Sequence, residues 1–325
     1  MGVTNLLQFL REIIVSTNLN RLNLSGRSIA FDGMGLLHRG GVICAKELAT
    51  GIPSDKHVRF CMSIVDLFRK HGMATKDMIM VVDNLDNPNI LKAETNLCRS
   101  EQRAEALRIA LHLESEGKTS EAEKFYRSAI IINKTSIGLL QAACDLAGVK
   151  FVVARGEADS HLAYLSRSNQ VDLVVGEDSD FVAYGATTCL YKIKSDGSCD
   201  LYARSKLPKL FPGWTDDQFV LFCVLAGCDY FSLDRVGIKR AFSICSSQPT
   251  LAQLKLHLRT TLSLPRQDIQ QLSKAYLLFL YAAPLHLLRP LPPAEELADA
   301  LDVCVDQVDD HFLAFLLPCI QSKNS

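Results

Sequence analysis

Val171-Asp172-Leu173-Val174-Val175-Gly176-Glu177-Asp178-Ser179-Asp180 runs from an apolar, β-branched stretch straight into a knot of acidic residues. A short apolar run bounded by turn residues reads as a strand buried on both faces, the kind that parallel sheets contain. Other segments repeat the pattern of an apolar run that ends in acid. Ser28-Ile29-Ala30-Phe31 leads to Asp32, Met78-Ile79-Met80-Val81-Val82 to Asp83, Phe151-Val152-Val153-Ala154 to Glu157 and Asp159, and Val224-Leu225-Ala226-Gly227-Cys228 to Asp229. Most of these runs are strands on this reading. Ligands of open α/β sheets bind at the carboxyl ends of the strands. The chain is therefore expected to be an α/β protein in which Asp32, Asp83, Glu157, Asp159, Asp178, Asp180 and Asp229 share one sheet edge. Carboxylates gathered in one place repel one another and resist ionisation unless cations lie between them. The set predicts a metal site.

Composition sets the bounds. A chain of 325 residues with 48% apolar content can bury a sizeable core, as one large domain or two. The eleven cysteines form no even framework and no C-x-x-C pair, and Cys44, Cys61, Cys144 and Cys223 lie in apolar helical runs. Free thiols in a reducing compartment are expected. No signal-peptide core, myristoylation signal or membrane-length run appears, so a soluble protein without membrane attachment is expected. The net charge of −1 conceals a basic surplus: with the seven acids set apart, the other acidic residues are fewer than the 35 Lys and Arg. That balance permits nucleic-acid binding without proving it.

Around the acidic runs the chain alternates. Leu6, Leu7, Phe9, Leu10, Ile13 and Ile14 predict an opening helix over about Asn5 to Val15. Two helices follow Asp32, the second after Pro53-Ser54-Asp55 with Ser54 or Asp55 as its cap. Asp83-Asn84-Leu85-Asp86-Asn87-Pro88-Asn89 is turn-forming throughout and opens a long insertion. From about Lys92 to Leu146 this insertion is helical and highly charged, broken at Glu116-Gly117-Lys118-Thr119-Ser120. Ser120 and Glu123 fit a capping box for its second helix. A β-hairpin is expected at Leu190–Lys194 and Cys199–Tyr202, with Asp196-Gly197 at its turn. Helices follow Thr215, and prolines at 284, 290, 292 and 293 predict a looser C-terminal region.

Two-metal nucleases hold divalent ions about 4 Å apart, one activating water and the other stabilising the leaving oxygen. Magnesium prefers carboxylate oxygen and water, and no His/Cys ligand set is evident. Glu157 and Asp159 would diverge inside a regular helix. At a helix mouth just after Gly156 both can face the sheet edge, and Asp178 and Asp180 can do the same after Gly176. Any one of these acids alone could equally cap a helix or solvate a loop; the whole set is much harder to explain so. Glu177 reads as a supporting residue.

Ala30-Phe31-Asp32, Val81-Val82-Asp83, Gly156-Glu157-Ala158-Asp159, Glu177-Asp178-Ser179-Asp180 and Gly227-Cys228-Asp229-Tyr230, in this order, resemble the flap endonuclease/XPG family of structure-specific 5′ nucleases. The resemblance runs from Met1-Gly2 to about residue 250. Leu37-His38-Arg39-Gly40-Gly41, Pro53-Ser54-Asp55, Phe60-Cys61-Met62 and Glu116-Gly117-Lys118-Thr119-Ser120-Glu121-Ala122 look most like its exonuclease 1 branch. The resemblance implies a PIN-like 5′ nuclease core, a central mostly parallel sheet flanked by helices, carrying a helical arch and a helix–two-turn–helix. It divides the chain into a nuclease region at 1–87, the arch at 88–147, an internal nuclease region at 148–250 and a helical extension at 251–325.

The same resemblance makes Asp32, Asp83, Glu157 and Asp159 one metal-binding group and Asp178, Asp180 and Asp229 a second, for two magnesium ions that manganese can replace. Lys92 and Arg99 match the family's basic pair at the scissile phosphate. Seven residues apart, they project from one helix face, and Arg103 extends their stripe, although Glu94, Glu101 and Glu105 nearby also fit a solvated face. His38 matches a histidine beside the displaced 5′ nucleotide; a lone histidine there also fits an ordinary filler. Arg235-Val236-Gly237-Ile238-Lys239-Arg240-Ala241 resembles the helix–two-turn–helix that grips duplex phosphates, with Gly237, Lys239 and Arg240 as DNA contacts. Arg235 stands where glycine is usual and Ile238 where proline is common, which counts against the potassium ion often held there and makes Arg235 a candidate phosphate contact. Asn84 replaces a glycine after Asp83, and its tolerance of left-handed geometry is expected to preserve the turn.

The implied function is a magnesium-dependent 5′→3′ exonuclease and 5′-flap endonuclease of DNA repair. Its substrate is duplex DNA with a 5′ end, nick, gap or flap, and it is expected to act in the nucleus as a monomer. The chain ends at Ser325, short of the long tail of that branch, and shows no Gln-led clamp-binding motif. Two alternatives carry less: a non-catalytic DNA-binding relative, which would have lost a ligand, and a haloacid-dehalogenase-type phosphatase, whose paired aspartates Asp178-Ser179-Asp180 mimic.

Overall fold

A computed structural model describes residues 2–86, 89–303 and 308. Seven strands form one sheet: β1 (Val15–Asn18), β2 (Ile29–Asp32), β3 (Met78–Val82), β4 (Lys150–Val153), β5 (Leu173–Val175), β6 (Thr188–Tyr191) and β7 (Ser198–Ala203), in the order β1-β7-β6-β5-β2-β3-β4. The run from β6 through β5, β2 and β3 to β4 is parallel; β7 and β1 add antiparallel at one side. From β2 the chain builds outward through β3 to β4, then returns to the opposite side of β2 for β5. That reversal makes the β2/β5 boundary a topological switch point, with its crevice at the carboxyl ends.

Alternation along each strand divides the core. Ile29, Phe31, Met78, Met80, Val82, Leu173 and Val175 enter one buried cluster, beneath helices Gly33–Gly41, Lys56–Lys70 and Lys134–Ala147. Ala30, Val81 and Val174 enter the other, with helices Ala158–Arg167, Asp216–Leu225 and Arg266–Tyr281. Successive strand side chains point to opposite faces, so strands covered on both sides are apolar at every position. Phe31 meets Phe68 edge-on at 5.3 Å, fixing Lys56–Lys70 to the central strand.

The insertion forms a helical pair. Ala93–Ser115 would extend about 35 Å and packs against Thr119–Ser128 through Ala106, Ala110, Ala122 and Tyr126. The expected break lies between these helices. The capping box does not form: the second helix already begins at Thr119 after Lys118, which places Ser120 inside its first turn.

Three further expectations change. The opening helix shortens to Leu6–Phe9, and Val15 begins a strand instead, because pairing with β7 captures residues that local periodicity assigns to helix. Asn84 is not left-handed; its Oδ1 accepts the backbone N–H of Asp86 at 3.0 Å, a turn that needs no glycine. Asn87 and Pro88, within that turn, lie outside the described residues. The looser proline-rich region is confined to the stretch between Leu285 and Leu297: Leu287 and Leu288 are exposed there, while Leu285, Leu297 and Leu301 are buried. The Asp196-Gly197 hairpin forms between β6 and β7, with Gly197 at φ +80°. No helix among the described residues is long and apolar enough to cross a membrane.

Candidate metal centre and nucleic-acid interface

Asp32 closes β2, and Asp83 follows β3 directly. Glu157 is the N-cap of Ala158–Arg167 and Asp159 lies in that helix's first turn, so both acids leave the chain at the helix mouth. Asp178 and Asp180 follow β5, Asp180 opening the short helix Asp180–Ala183. Asp229 comes from a different kind of element: Val224 and Leu225 end a helix, and a tight turn with Gly227 at φ +102° delivers the acid.

The acids converge. Asp32, Asp83, Glu157, Asp159, Asp178 and Asp229 line one open cleft of about 260 Å3, together with His38, Lys92, Arg99 and Arg103. Asp180 lies beneath it at 0% exposure. Carboxylate oxygens of Asp159, Asp178 and Asp180 all come within 4.8 Å of one another. Asp159, expected in the first ligand group, thus clusters with two members of the second.

Backbone donors fix several of these groups. Gly35 N–H donates to Asp32 at 2.9 Å, Ala158 N–H to Asp83 at 2.7 Å, and Asp180 N–H to Asp178 at 3.0 Å. These bonds oppose a stronger effect. Burial, reinforced by Asp83 and Asp178, pushes Asp32 up to about 7. Burial likewise holds Asp159 and Asp180 well above the carboxylate range, with the charge of Asp178 adding to both. Both oxygens of Asp180 are buried without a hydrogen-bond partner. Crowded, desolvated and partly orphaned oxygens fit a divalent cation, and an all-oxygen donor set suits magnesium or manganese.

Two cations reach in from the arch. Lys92 Nζ donates to Glu157 Oε2 at 2.9 Å and lies 3.6 Å from Asp229 Oδ2; Arg99 Nη2 donates to Asp229 Oδ1 at 2.7 Å. Burial works against the charge of Lys92. Glu157, Asp159, Asp180 and Asp229 outweigh it and hold the ammonium well above its usual value. Arg103, about three helical turns beyond Lys92, lines the same cleft and forms no ion pair among the described residues. His38 sits opposite; burial, then Arg103 and Arg99, lower it to about 4, so it is neutral near pH 7.

Arg235, Gly237, Lys239 and Arg240 lie apart from this cleft. All four are exposed, and the last three border a separate groove with Asn5, Gln8 and Phe9. Gly237 caps the helix Ile238–Ser247. Arg235 takes φ +64°, the left-handed geometry that glycine would provide, and its carbonyl accepts from Arg240 Nη1 at 3.2 Å.

Several site neighbours escaped the sequence reading. Tyr230 donates its hydroxyl to Glu157 Oε2, and the Tyr184 hydroxyl lies 2.9 Å from that of Tyr230. Thr95 Oγ1 donates to the Asp229 carbonyl at 2.9 Å. Gly2, at φ +82°, packs so tightly that a Cβ would fall 1.9 Å from Asp178 Oδ1. Its early place beside the acids could be suspected only from the resemblance at Met1-Gly2. Glu177 supports as expected: it accepts from Arg39 Nη1 at 2.9 Å and from Lys192 N at 3.3 Å, tying helix Gly33–Gly41 to the β6–β7 hairpin.

Residues 1–106 match the XPG N-terminal domain and residues 148–229 the XPG I-region. Exonuclease 1 of Arabidopsis thaliana is 33% identical over 86% of this chain, and Exonuclease 1 of Xenopus laevis 32% identical over 86%. The matches cover 38% and 39% of those relatives, so the chain spans well under half their length.

Among solved structures, the catalytic core of Rad2 in complex with DNA substrate superimposes with a TM-score of 0.60 at 17% identity, covering 97% of this chain and 99% of that one. Flap endonuclease-1 from Methanococcus jannaschii gives 0.57 at 17%, covering 95% and 98%. The Holliday junction-resolving enzyme GEN1 in complex with product DNA and Mg2+ gives 0.55 at 17%, covering 95% and 72%. At these identities the structures establish a shared fold, that of a 5′ nuclease core. The domain matches and the relatives decide the rest: the chain belongs to the XPG family of structure-specific 5′ nucleases, in its exonuclease 1 branch.

Proposed function

We propose that this protein is a magnesium-dependent 5′→3′ exonuclease and 5′-flap endonuclease acting on nuclear DNA during repair, in mismatch correction, end resection or recombination. The observation that carries the reading is the convergence of seven acids from five chain segments with two arch cations among them. Asp32, Asp83, Glu157, Asp159, Asp178, Asp180 and Asp229 would hold two divalent ions between them. Such ions supply an activated water and charge at the departing 3′ oxygen when bound.

The side chains do the rest. Lys92 and Arg99 meet the scissile phosphate and offset the charge that grows on it. Their present partners are the carboxylates of Glu157 and Asp229, so engaging a phosphate exchanges one anion for another. His38, neutral at working pH, adjoins the displaced nucleotide without adding charge. Arg103 continues the basic stripe along the arch. On the separate face, Lys239, Arg240 and the backbone at Gly237 hold duplex phosphates, and Arg235 contacts phosphate where a potassium ion would otherwise serve.

The test is a digestion series on 5′-labelled blunt, recessed, nicked, gapped and flapped duplexes in magnesium, in manganese and in chelator. Cleavage at free 5′ ends and flap junctions, restored from chelator by either metal, is expected. Tight duplex binding with no cleavage under any metal would replace this reading with a non-catalytic DNA-binding relative.

A further inference from the structure

Glu157 receives two donors on one oxygen. Lys92 Nζ and the Tyr230 hydroxyl both bond Oε2, which leaves Oε1 uncommitted among the described residues. The Tyr230 ring also lies under the Lys92 ammonium, 4.9 Å from its centroid, a cation–π distance. One buried side chain therefore touches both a candidate metal ligand and a candidate catalytic cation. Tyr184 stands behind it, 1% exposed, its hydroxyl within 2.9 Å of the Tyr230 oxygen.

The tyrosine pair is itself backed from the C-terminal side. Phe279 contacts Tyr184 at 4.5 Å and Tyr230 at 5.5 Å, and Gln271 Nε2 donates to the Tyr230 carbonyl at 2.9 Å. Both residues belong to helix Arg266–Tyr281, outside the matched family domains.

We infer that Tyr230 is a positioning residue of this site: with Tyr184 behind it, its hydroxyl fixes which oxygen of Glu157 faces the cleft, and its ring holds the Lys92 ammonium in place. This rests on the metal-dependent nuclease reading and deepens it. The hydrogen-bond order follows from the chemistry. An ionised carboxylate only accepts, so Tyr230 donates to Glu157 and accepts from Tyr184. Removing a partner that orients a metal ligand typically costs about 10- to 100-fold in metal affinity or activity.

Tyr230→Phe deletes the donor and keeps the ring; Tyr230→Leu deletes both; Tyr184→Phe removes only the second link. Calorimetric binding of calcium to the full chain reads the site without turnover. Tyr230→Phe is expected to weaken calcium about tenfold and to raise the magnesium concentration for half-maximal single-turnover cleavage alike, while the saturated rate holds within a few-fold. Tyr184→Phe should move both in the same direction by less. Tyr230→Leu should in addition lower the rate at saturating magnesium, through Lys92.

Melting temperature separates a merely structural role: a fall in Tm with calcium affinity unchanged in Tyr230→Phe overturns the inference. So does an unchanged magnesium requirement in that variant. Should the unmodified chain bind calcium and cut no DNA, the calcium shift still decides the positioning role while the nuclease reading falls.

Discussion

Asp180 sits at the base of the acidic cluster, fully buried, with neither oxygen hydrogen-bonded. A carboxyl whose pKa is raised by folding keeps its proton more readily in the folded state, so its contribution to stability is full below the unfolded value and fades as pH rises through the folded one. Asp32, moved from 3.8 to about 7, sets that window, and Asp159 and Asp180 act in the same sense. In chelator, denaturant midpoints should therefore fall between pH 5 and pH 8, and magnesium should restore more stability at pH 8 than at pH 5. Asp180→Asn should raise metal-free stability at pH 8 by about 1 kcal/mol or more, as a desolvated charge is removed, and should abolish cleavage. Lys92→Ala and Arg99→Ala should each cut the single-turnover rate by roughly a hundredfold, the scale of one lost transition-state contact. Duplex affinity, measured in calcium, should change little. Affinity lost in proportion to rate would make that residue a substrate anchor only.

The loop at Arg235 shows what an element can demand of a residue. Its left-handed φ costs a non-glycine side chain roughly 1 kcal/mol. Arg235→Gly should therefore stabilise the fold by about that amount while weakening duplex binding, read by urea midpoints and by titration of a labelled duplex in sodium and in potassium. Replacing Lys239 and Arg240 by Ala should weaken all sequences alike and flatten the salt dependence by about two phosphate contacts. Part of Arg240 is engaged by the Arg235 carbonyl, so Lys239 should carry the larger share. The strands ending at Asp32, Asp83 and Asp178 were legible because two-sided burial leaves no polar position in them. β1 was not, since Ile13-Ile14-Val15 suits a helix equally and only distant pairing with Leu201 decides it. Ser120 and Glu123 had the right spacing for a cap but the wrong start, because helix ends depend on where packing begins.

Across the whole molecule, the acids were legible as a set while their second layer was not. Asp229 marks itself by ending an apolar run; Tyr184 and Tyr230 look like core tyrosines, and no spacing links them to Glu157 across so much chain. The C-terminal helices are similarly silent in sequence, yet Leu272, Ala275, Leu278 and Phe279 enter the same buried cluster as Phe181 and Phe222. Lys255 caps the carbonyls of Asp299 and Ala300 at 2.7 and 3.0 Å, binding the last described helix to that layer. A chain stopped at residue 250 should consequently aggregate or be digested by trypsin under conditions that the full chain survives. A soluble, resistant fragment would show the extension to be dispensable. The same dependence orders events during synthesis. The first acid leaves the ribosome far ahead of Gln271 and Phe279, an interval of roughly 10 to 50 s at typical elongation rates. Until those residues emerge, the Tyr184–Tyr230 pair lacks the ring of Phe279 behind it and the hydrogen bond from Gln271. The tyrosine pair behind Glu157 and Lys92 therefore settles only after every candidate ligand has been made, because Gln271 and Phe279 follow Asp229 in the chain.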